Sequence, residues 1–571
     1  MYTHRIAIIT AVFVGLIAVA PSVLAPISLQ SEYRGVQLLP FSDDVRYRAR
    51  IHDVLDGHVF LSSPYLYEYK NGPVVMPPLN EWLYALPAYF FGLSAVIIAA
   101  KFFLPAALFF LVYLLALGMV GEKKHALGLL TAITAGLAVT LGSDLVDYNH
   151  VLGLISGTSP PNPLVWTRLV NPITGGVQLF GFLLLLWYMW QRKYRYAYVA
   201  AGVLLASMVG YFFTFGLSLA MIAALSCAAL LRREYDIVRN AVYVLIISVA
   251  LDAWYWYHTL LSVSGEAGRV LAMRNGMSFT HAPILNKAIL AATVFVAASF
   301  AYAYVKKEWR EHERGWIFLW AAVLSGWIVF NQQIVTGREI WYQHFAQYTV
   351  PLGIVLCVVA LFFLLRDRAP RFLVCMLVAI SVVSGAYGIS TTIYKHRIPE
   401  LAHLQGYAPV IEWLNENAPK DCVVLDGKRN EELVLLISAY TACNTYMTTS
   451  TFFGITPERI DHNFLLRMRL EGVMSESALT YLYAHEDDVR NTYFSDWNQL
   501  FSHGEEPWIV DHIAVLEKNY RAFAGGNLEK QIRAYRANYI VFKHPISPAL
   551  RRELPSLTLA TTTENFYIYT F

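Results

Sequence analysis

The chain has 571 residues, of which 56% are hydrophobic and only 15% charged, and its formal net charge is +3. Soluble domains carry about a quarter charged residues, so a large part of this chain must be solvated by lipid. The near-balanced charge gives no footing for a nucleic-acid partner, and the 14% aromatic content suits Tyr and Trp placed at membrane interfaces.

In chain order, Arg5 precedes an apolar run to Leu29, and no small-x-small cleavage site closes it before the polar loop; this reads as a retained signal-anchor helix. Eleven apolar runs have the length of a membrane-crossing helix, centred near residues 16, 107, 133, 182, 204, 222, 247, 295, 324, 356 and 381. The fifth and sixth share one run from Tyr196 to Leu231, broken at Gly210. Lys/Arg-rich loops follow the even-numbered runs: Lys123-Lys124, Arg192 to Arg195, Arg232-Arg233, Lys306 to Arg314, and Arg366 to Arg371. The positive-inside rule places these loops and the N-terminus in the cytoplasm, and the C-terminus outside.

Residues 1–394 are thus expected to form a polytopic helical membrane domain, with 30–94 as its first external loop. That loop holds two short amphipathic stretches. In one, Tyr47, Ile51, Val54 and Leu55 recur at helical spacing before Asp56-Gly57; the other runs from Leu79 to Phe91 after Met76-Pro77-Pro78 and stops at Gly92. Both are too short to span and are expected to lie on the membrane surface. Lys101, early in the second spanning run, is expected to snorkel to the outer interface. Residues 395–571 read as an extracytoplasmic α/β domain with a partly parallel sheet. Its expected helices are Val410–Asn417, Glu431–Tyr440 and Lys530–Ala537, and its expected strands are Cys422–Leu425, Thr445–Thr449, Asn538–Phe542 and Tyr567–Phe571. Cys422 and Cys443 begin two strands joined by one helix and stand within reach of a disulfide in an oxidising compartment, with free thiols the alternative. Cys227, Cys357 and Cys375 fall in apolar runs as small buried side chains.

The chemistry concentrates in Phe41-Ser42-Asp43-Asp44-Val45-Arg46-Tyr47-Arg48-Ala49-Arg50, just outside the first helix. Ionisable groups at a membrane boundary cost desolvation energy unless polar partners share the site. Two readings of Asp43-Asp44 fit equally. Either they cap the helix and favour its dipole, or one is a general base with arginine nearby to hold an anionic leaving group. Asp144, Asp147 and His150, spaced by three, form a second acidic cluster. With Asp43 or Asp44 it offers oxygen ligands to a divalent cation, Mg or Mn; an exposed loop cluster is the plainer reading. His258, Glu266, Arg269, Arg274 and His281 lie in a loop at 257–284 with the features of a lid.

The order membrane helix, two carboxylates, Arg46-Tyr47, surface helix, Gly57, Pro-rich turn, second surface helix ending Phe91-Gly92, spanning helix resembles the GT-C glycosyltransferases. The likeness is to the lipid A aminoarabinose transferase and protein O-mannosyltransferase branch, whose Asp-Glu pair in the first external loop supplies an aspartate base. Asp43-Asp44 occupies that place, with Asp in place of Glu at the second position, and the resemblance points to Asp43. The spacing Asp44-x-x-Tyr47-x-x-Arg50 is also similar to the oligosaccharyltransferase catalytic subunit, which leaves Asp44 open as base, partner, metal ligand or substrate ligand. The resemblance covers topology over residues 1–391 and local sequence over 39–92.

It implies an inverting glycosyltransferase moving a sugar from a polyprenyl-phosphate donor to a glycan, lipid or protein acceptor on the outer face of the membrane. No cofactor is required on one branch, and a divalent cation held by Asp44, Asp144 and Asp147 on the other. A departing lipid phosphate needs cationic donors. The candidates are Arg46, Arg168 and Arg338, with Tyr47 and His344 as further substrate contacts. Asn331-Gln332-Gln333 before Arg338, and Trp341, His344 and Gln347 after it, are costly at that depth if merely structural. His344 fits a sugar-hydroxyl ligand, a proton carrier or a satisfied structural histidine. The alternatives are a metal-dependent oligosaccharyltransferase or glycan polymerase and, from another class, a membrane transporter. Against a transporter stand the absence of an inverted repeat and the scarcity of mid-membrane ionisable residues, Asp252 excepted.

Overall fold

The computed structural model describes residues 4–72, 78–121, 125–147, 151–152, 156, 164–265, 280–340, 342–365, 371–392, 397–427, 430–448, 455–493 and 508–571. Helices occupy all eleven expected apolar runs. Among the described residues seven are long and apolar enough to cross a membrane, an eighth forms if the bent pair Tyr235–Leu251 and Ala253–Leu261 counts as one span, and three are shorter apolar helices. The chain is a polytopic helical membrane protein with a sheet near its C-terminus.

Helix α1 (Arg5–Leu29) is followed by two short helices, α2 (Asp44–Leu55) and α3 (Leu79–Phe91), and then by the spanning helices α4 (Leu93–Val120) and α5 (His125–Thr140). α1 lies so close to α4 that a Cβ on Gly15 would stand 2.6 Å from the Phe102 carbonyl oxygen. Gly92, at φ +78°, makes the sharp break between α3 and α4, a conformation that glycine adopts without steric cost. The helices Ile173–Trp190 and Tyr342–Leu365 pack on α4, and the spanning helices share one core, in which Trp166, Trp190 and Trp316 are fully enclosed.

Three of the basic loops meet at one end of this bundle. Arg192 pairs with Asp236 at 2.6 Å, Arg232 with Glu313 at 2.5 Å, and Arg314 with Glu234 at 3.0 Å. The helix Ile173–Trp190 runs from the Arg168 loop to this network, a distance of about 27 Å at 1.5 Å per residue.

At the Arg168 end, the first loop and the C-terminal region form one body. The strands β1 (Val423–Asp426), β2 (Asn444–Thr445), β3 (Tyr539–Phe542), β4 (Thr558–Thr562) and β5 (Tyr567–Thr570) make a sheet ordered β2-β1-β3-β5-β4. β1 runs parallel to β2 and β3, whereas β5 is antiparallel to β3 and β4. Alternate residues of β1 enter two cores: Val424 packs with helices Ala408–Asn417 and Glu431–Tyr440, and Val423 and Leu425 with Leu466, Leu528 and Ile532. The sheet is therefore covered on both faces, giving three layers. Cys422 and Cys443 form a disulfide, with Cα atoms 4.5 Å apart.

Some expectations need correction. The strand expected over Thr445–Thr449 is only Asn444–Thr445 among the described residues, and the helix expected at Lys530–Ala537 is Leu528–Ile532. Helices Pro457–Leu470 and Trp508–Ala524 and strand β4 were not foreseen. α2 is not a membrane-surface helix. Its apolar stripe, Tyr47, Ile51, Val54 and Leu55, packs against Tyr84, Ala85 and Ala88 of α3. Its other side packs against the helix Glu431–Tyr440, where Arg48 is buried over the Tyr440 ring at 3.9 Å and donates to the Ala439 carbonyl at 3.1 Å. α3 does keep an apolar face outward: Leu86, Tyr89, Phe90 and Phe91 are each at least two-thirds exposed.

Candidate active site

Asp43 stands at the N-cap of α2, yet its side chain makes no capping hydrogen bond. Its carboxylate turns instead to two guanidinium groups. It accepts a hydrogen bond from Arg168 Nη2 and lies 3.6 Å from Arg46 Nη1. The side chain stays 37% exposed, so one side of this ion cluster opens outward. The Arg46 Nε and Arg168 Nε atoms are buried and have no hydrogen-bond partner.

Asp44, the next residue, has entirely different surroundings. It is fully buried, accepting from Leu169 N–H at 2.7 Å and from Phe41 N–H at 3.4 Å. Burial pushes its carboxyl up to about 6, against the pull of the Lys101 charge, the two backbone N–H donors and Arg168. Lys101 is buried as well and donates to the Leu38 carbonyl at 3.3 Å. It does not snorkel to lipid; its ammonium lies under the loop that leads into α2. An isolated charge at that depth is costly, and the carboxylate of Asp44 opposes it through space without a direct ion pair.

The backbone that presents Arg168 is unusual. Val170 adopts φ +60°, and Asn171 N–H donates to the Leu169 carbonyl at 2.8 Å, closing a γ-turn around a β-branched residue. Such a conformation costs of order 1–3 kcal/mol and persists only where its surroundings impose it. Here they do. Asp44 and the Tyr84 hydroxyl accept the two N–H groups of Leu169 and Val170. A chain of buried amides, Gln178 to Asn80 at 3.0 Å and Asn80 to Asn171 at 3.2 Å, holds the next residue.

Aromatic side chains close the cluster. Burial raises Tyr47 above the ordinary tyrosine value, opposed by Arg168 and Arg50. Tyr65 is pushed up to about 12, chiefly by burial, while Arg46 and Arg50 pull it down. Both phenols therefore remain protonated donors. Arg50 itself is bound to buried Glu81 at 2.8 Å. From the other side, His344 Nδ1 bonds the Tyr211 hydroxyl at 3.1 Å and its ring stacks on Phe213 at 4.7 Å. The charges of both Arg168 and Asp43 act on His344. The structure thus gathers Asp43, Arg46, Tyr47, Arg168 and His344, drawn from three separated parts of the chain.

Other candidates lie elsewhere. Arg338 is exposed on the turn after the helix Gln333–Thr336, its carbonyl accepting from Gln332 at 2.7 Å. The amides before it are structural: Asn331 exchanges two hydrogen bonds with the Ile284 backbone, and Gln333 donates to the Ala282 carbonyl at 3.0 Å. They pin the end of the expected lid loop, with His281 bonded to the Ile334 carbonyl at 3.0 Å. His258 packs at a tilt against Trp254, with ring centroids 4.5 Å apart. Glu266, Arg269, Arg274, Trp341, His150 and the side chain of Asp144 lie outside the described residues, and Asp147 is exposed. Among the described residues no group of three or more His, Cys, Asp or Glu side chains has the arrangement to hold a metal ion.

No protein-family model matches the chain, and no curated protein sequence matches it. Among solved structures it is similar to an Archaeoglobus fulgidus oligosaccharyltransferase in complex with Zn and sulfate. That match has 13% identity over 93% of this chain and 67% of the other, with a TM-score of 0.43. It is also similar to ArnT from Cupriavidus metallidurans bound to undecaprenyl phosphate, at 13% identity over 98% and 97% of the two chains, with a TM-score of 0.40.

Proposed function

We propose that this chain is an inverting glycosyltransferase of the GT-C type that takes a sugar from a polyprenyl-phosphate carrier and passes it to a glycan, lipid or protein acceptor on the outer face of the membrane. One observation carries this reading: two buried guanidinium Nε–H donors, on Arg46 and Arg168, have no partner in the protein and flank a partly exposed carboxylate. A buried charged donor left unmet costs about 1–3 kcal/mol or more, so a site that keeps two of them is built for an acceptor from outside. A phosphate group supplies such acceptors in the geometry that guanidinium prefers.

In the reaction, the Asp43 carboxylate takes the proton from the acceptor hydroxyl or amine as that atom attacks the anomeric carbon. The bond from that carbon to the phosphate oxygen breaks on the opposite face, and the electron pair leaves with the polyprenyl phosphate. Arg46 and Arg168 meet the charge that develops there, and because γ-turn, amide chain and Asp44 already hold Arg168, little reorganisation is needed. Asp44 acts through position: it ties α2 to the Arg168 loop, with Lys101 as its counter-charge.

The test is transfer by the purified protein from a panel of radiolabelled polyprenyl-phosphate sugars into membrane extracts. The expected result is label in a product together with release of polyprenyl phosphate. Uptake of sugar into vesicles with no covalent product would instead make the chain a transporter.

A further inference from the structure

Two amide oxygens near the candidate active site are left without a partner by the fold. Gln343 and Gln347 lie one turn apart on one side of the helix Tyr342–Leu365. The Oε1 atom of each is closed off from solvent and accepts no hydrogen bond. The intervening turn carries His344, bonded to the Tyr211 hydroxyl at 3.1 Å, and leads to Tyr348, whose hydroxyl donates to the Pro172 carbonyl at 3.3 Å, so this part of the helix packs against the loop that presents Arg168. The short segment Ser143–Val146 packs on the same helix, and the buried Ser143 hydroxyl there also has no partner.

An unmet buried carbonyl costs about 1–3 kcal/mol. Two on one helical face offer a pair of acceptors to a ligand. Its chemistry is the opposite of the Arg46 and Arg168 side, where the unmet atoms are donors. A phosphate would be repelled by amide oxygens, whereas sugar hydroxyls donate to them. We infer that Gln343 and Gln347 form the sugar-recognition side of the donor site, and that the transferred group is a neutral, hydroxyl-bearing sugar. This inference rests on the function proposed above. A carboxylate-bearing sugar is disfavoured on the same grounds, since it would set anionic oxygen against the two carbonyls.

The experiment compares equilibrium binding of farnesyl phosphate, three farnesyl-phosphate hexoses and a farnesyl-phosphate hexuronate to the full-length protein in detergent, for wild type, Gln343→Leu and Gln347→Leu. At least one hexose ester is expected to bind wild type more tightly than bare farnesyl phosphate. Each substitution is expected to remove about tenfold of that preference, equivalent to one hydrogen bond, while leaving the affinity for bare farnesyl phosphate unchanged. That unchanged affinity also shows the variants to be folded. Equal weakening of both ligands, an unchanged hexose preference, or a hexuronate that binds more tightly than the hexoses overturns the inference and leaves the transferase reading standing. Failure of wild type to bind any of these phosphates overturns both.

Discussion

The Asp44–Lys101 pair offers a sharp test of how this site is held together. Removing the ammonium by Lys101→Met leaves Asp44 buried with two N–H donors, at 2.7 and 3.4 Å, and the Arg168 charge to meet its own. No direct ion pair joins the two groups, so leaving either buried charge unopposed costs at most about 3–5 kcal/mol. Asp44→Ala does the same to Lys101 and also strands the Leu169 and Phe41 N–H groups, worth about 1–3 kcal/mol each. The double variant Asp44→Asn/Lys101→Met keeps an acceptor for Leu169 and buries no charge, so it should come within about 2 kcal/mol of wild type. The pH dependence has a definite sign. The folded-state value of about 6 lies above the ordinary 3.8, so the folded state binds the Asp44 proton more tightly. The associated stability is complete below about pH 4 and is lost as pH rises through about 6. Lys101→Met removes the main charge opposing that rise and should move the upper edge of the window higher; Asp44→Asn should abolish the window. Thermal and denaturant unfolding of the detergent-solubilised protein, followed by tryptophan fluorescence across this pH range, measures all five proteins. Effects that simply add, within about 0.5 kcal/mol, would show that the pair is not coupled and refute the reasoning.

Further outcomes follow from the same geometry. Arg168→Lys keeps a charge but loses the fork that reaches both Asp43 and an anion, and transfer should fall by about 10- to 100-fold with little change in unfolding midpoint; a wild-type rate would remove Arg168 from the site. Reduction of Cys422–Cys443, which closes a separation of 21 residues, should lower the stability of the C-terminal region by about 3 kcal/mol, read as a loss of protease resistance; unchanged resistance contradicts it. If the guanidinium groups carry the phosphate charge, transfer should survive exhaustive treatment with a chelator. Loss of transfer that Mg or Mn restores would assign that work to a cation instead.

The spans were legible because lipid demands a plain property, about twenty apolar residues in a row, and the helices stand where those runs are. Asp43, Arg46 and Tyr47 were legible as neighbours in one short stretch. Their partnership with Arg168 was not, because that contact joins residues 125 apart through a γ-turn set by tertiary bonds. Lys101 was visible as a lone charge in an apolar helix, but snorkelling and burial under a carboxylate leave the same trace in sequence. The stripe on α2 likewise announced an apolar face without saying whether lipid or α3 would cover it. Gln343 and Tyr211 carried no signal beyond their polarity, since an unmet amide oxygen is a property of packing. Helix Pro457–Leu470 was missed although Thr456 caps it through Arg459 N–H, because its buried Arg459, stacked at 3.9 Å on Tyr535, reads in sequence as a solvated charge.

The most direct measurement compares Asp43→Asn with wild type in two assays on the same preparations: binding of a polyprenyl-phosphate sugar, and its transfer to acceptor. Asparagine keeps the shape and an oxygen for Arg168 but accepts no proton, so binding should hold within a few-fold while transfer falls by about 10²–10⁴-fold. Transfer at the wild-type rate by Asp43→Asn would contradict the assignment of this carboxylate as the base.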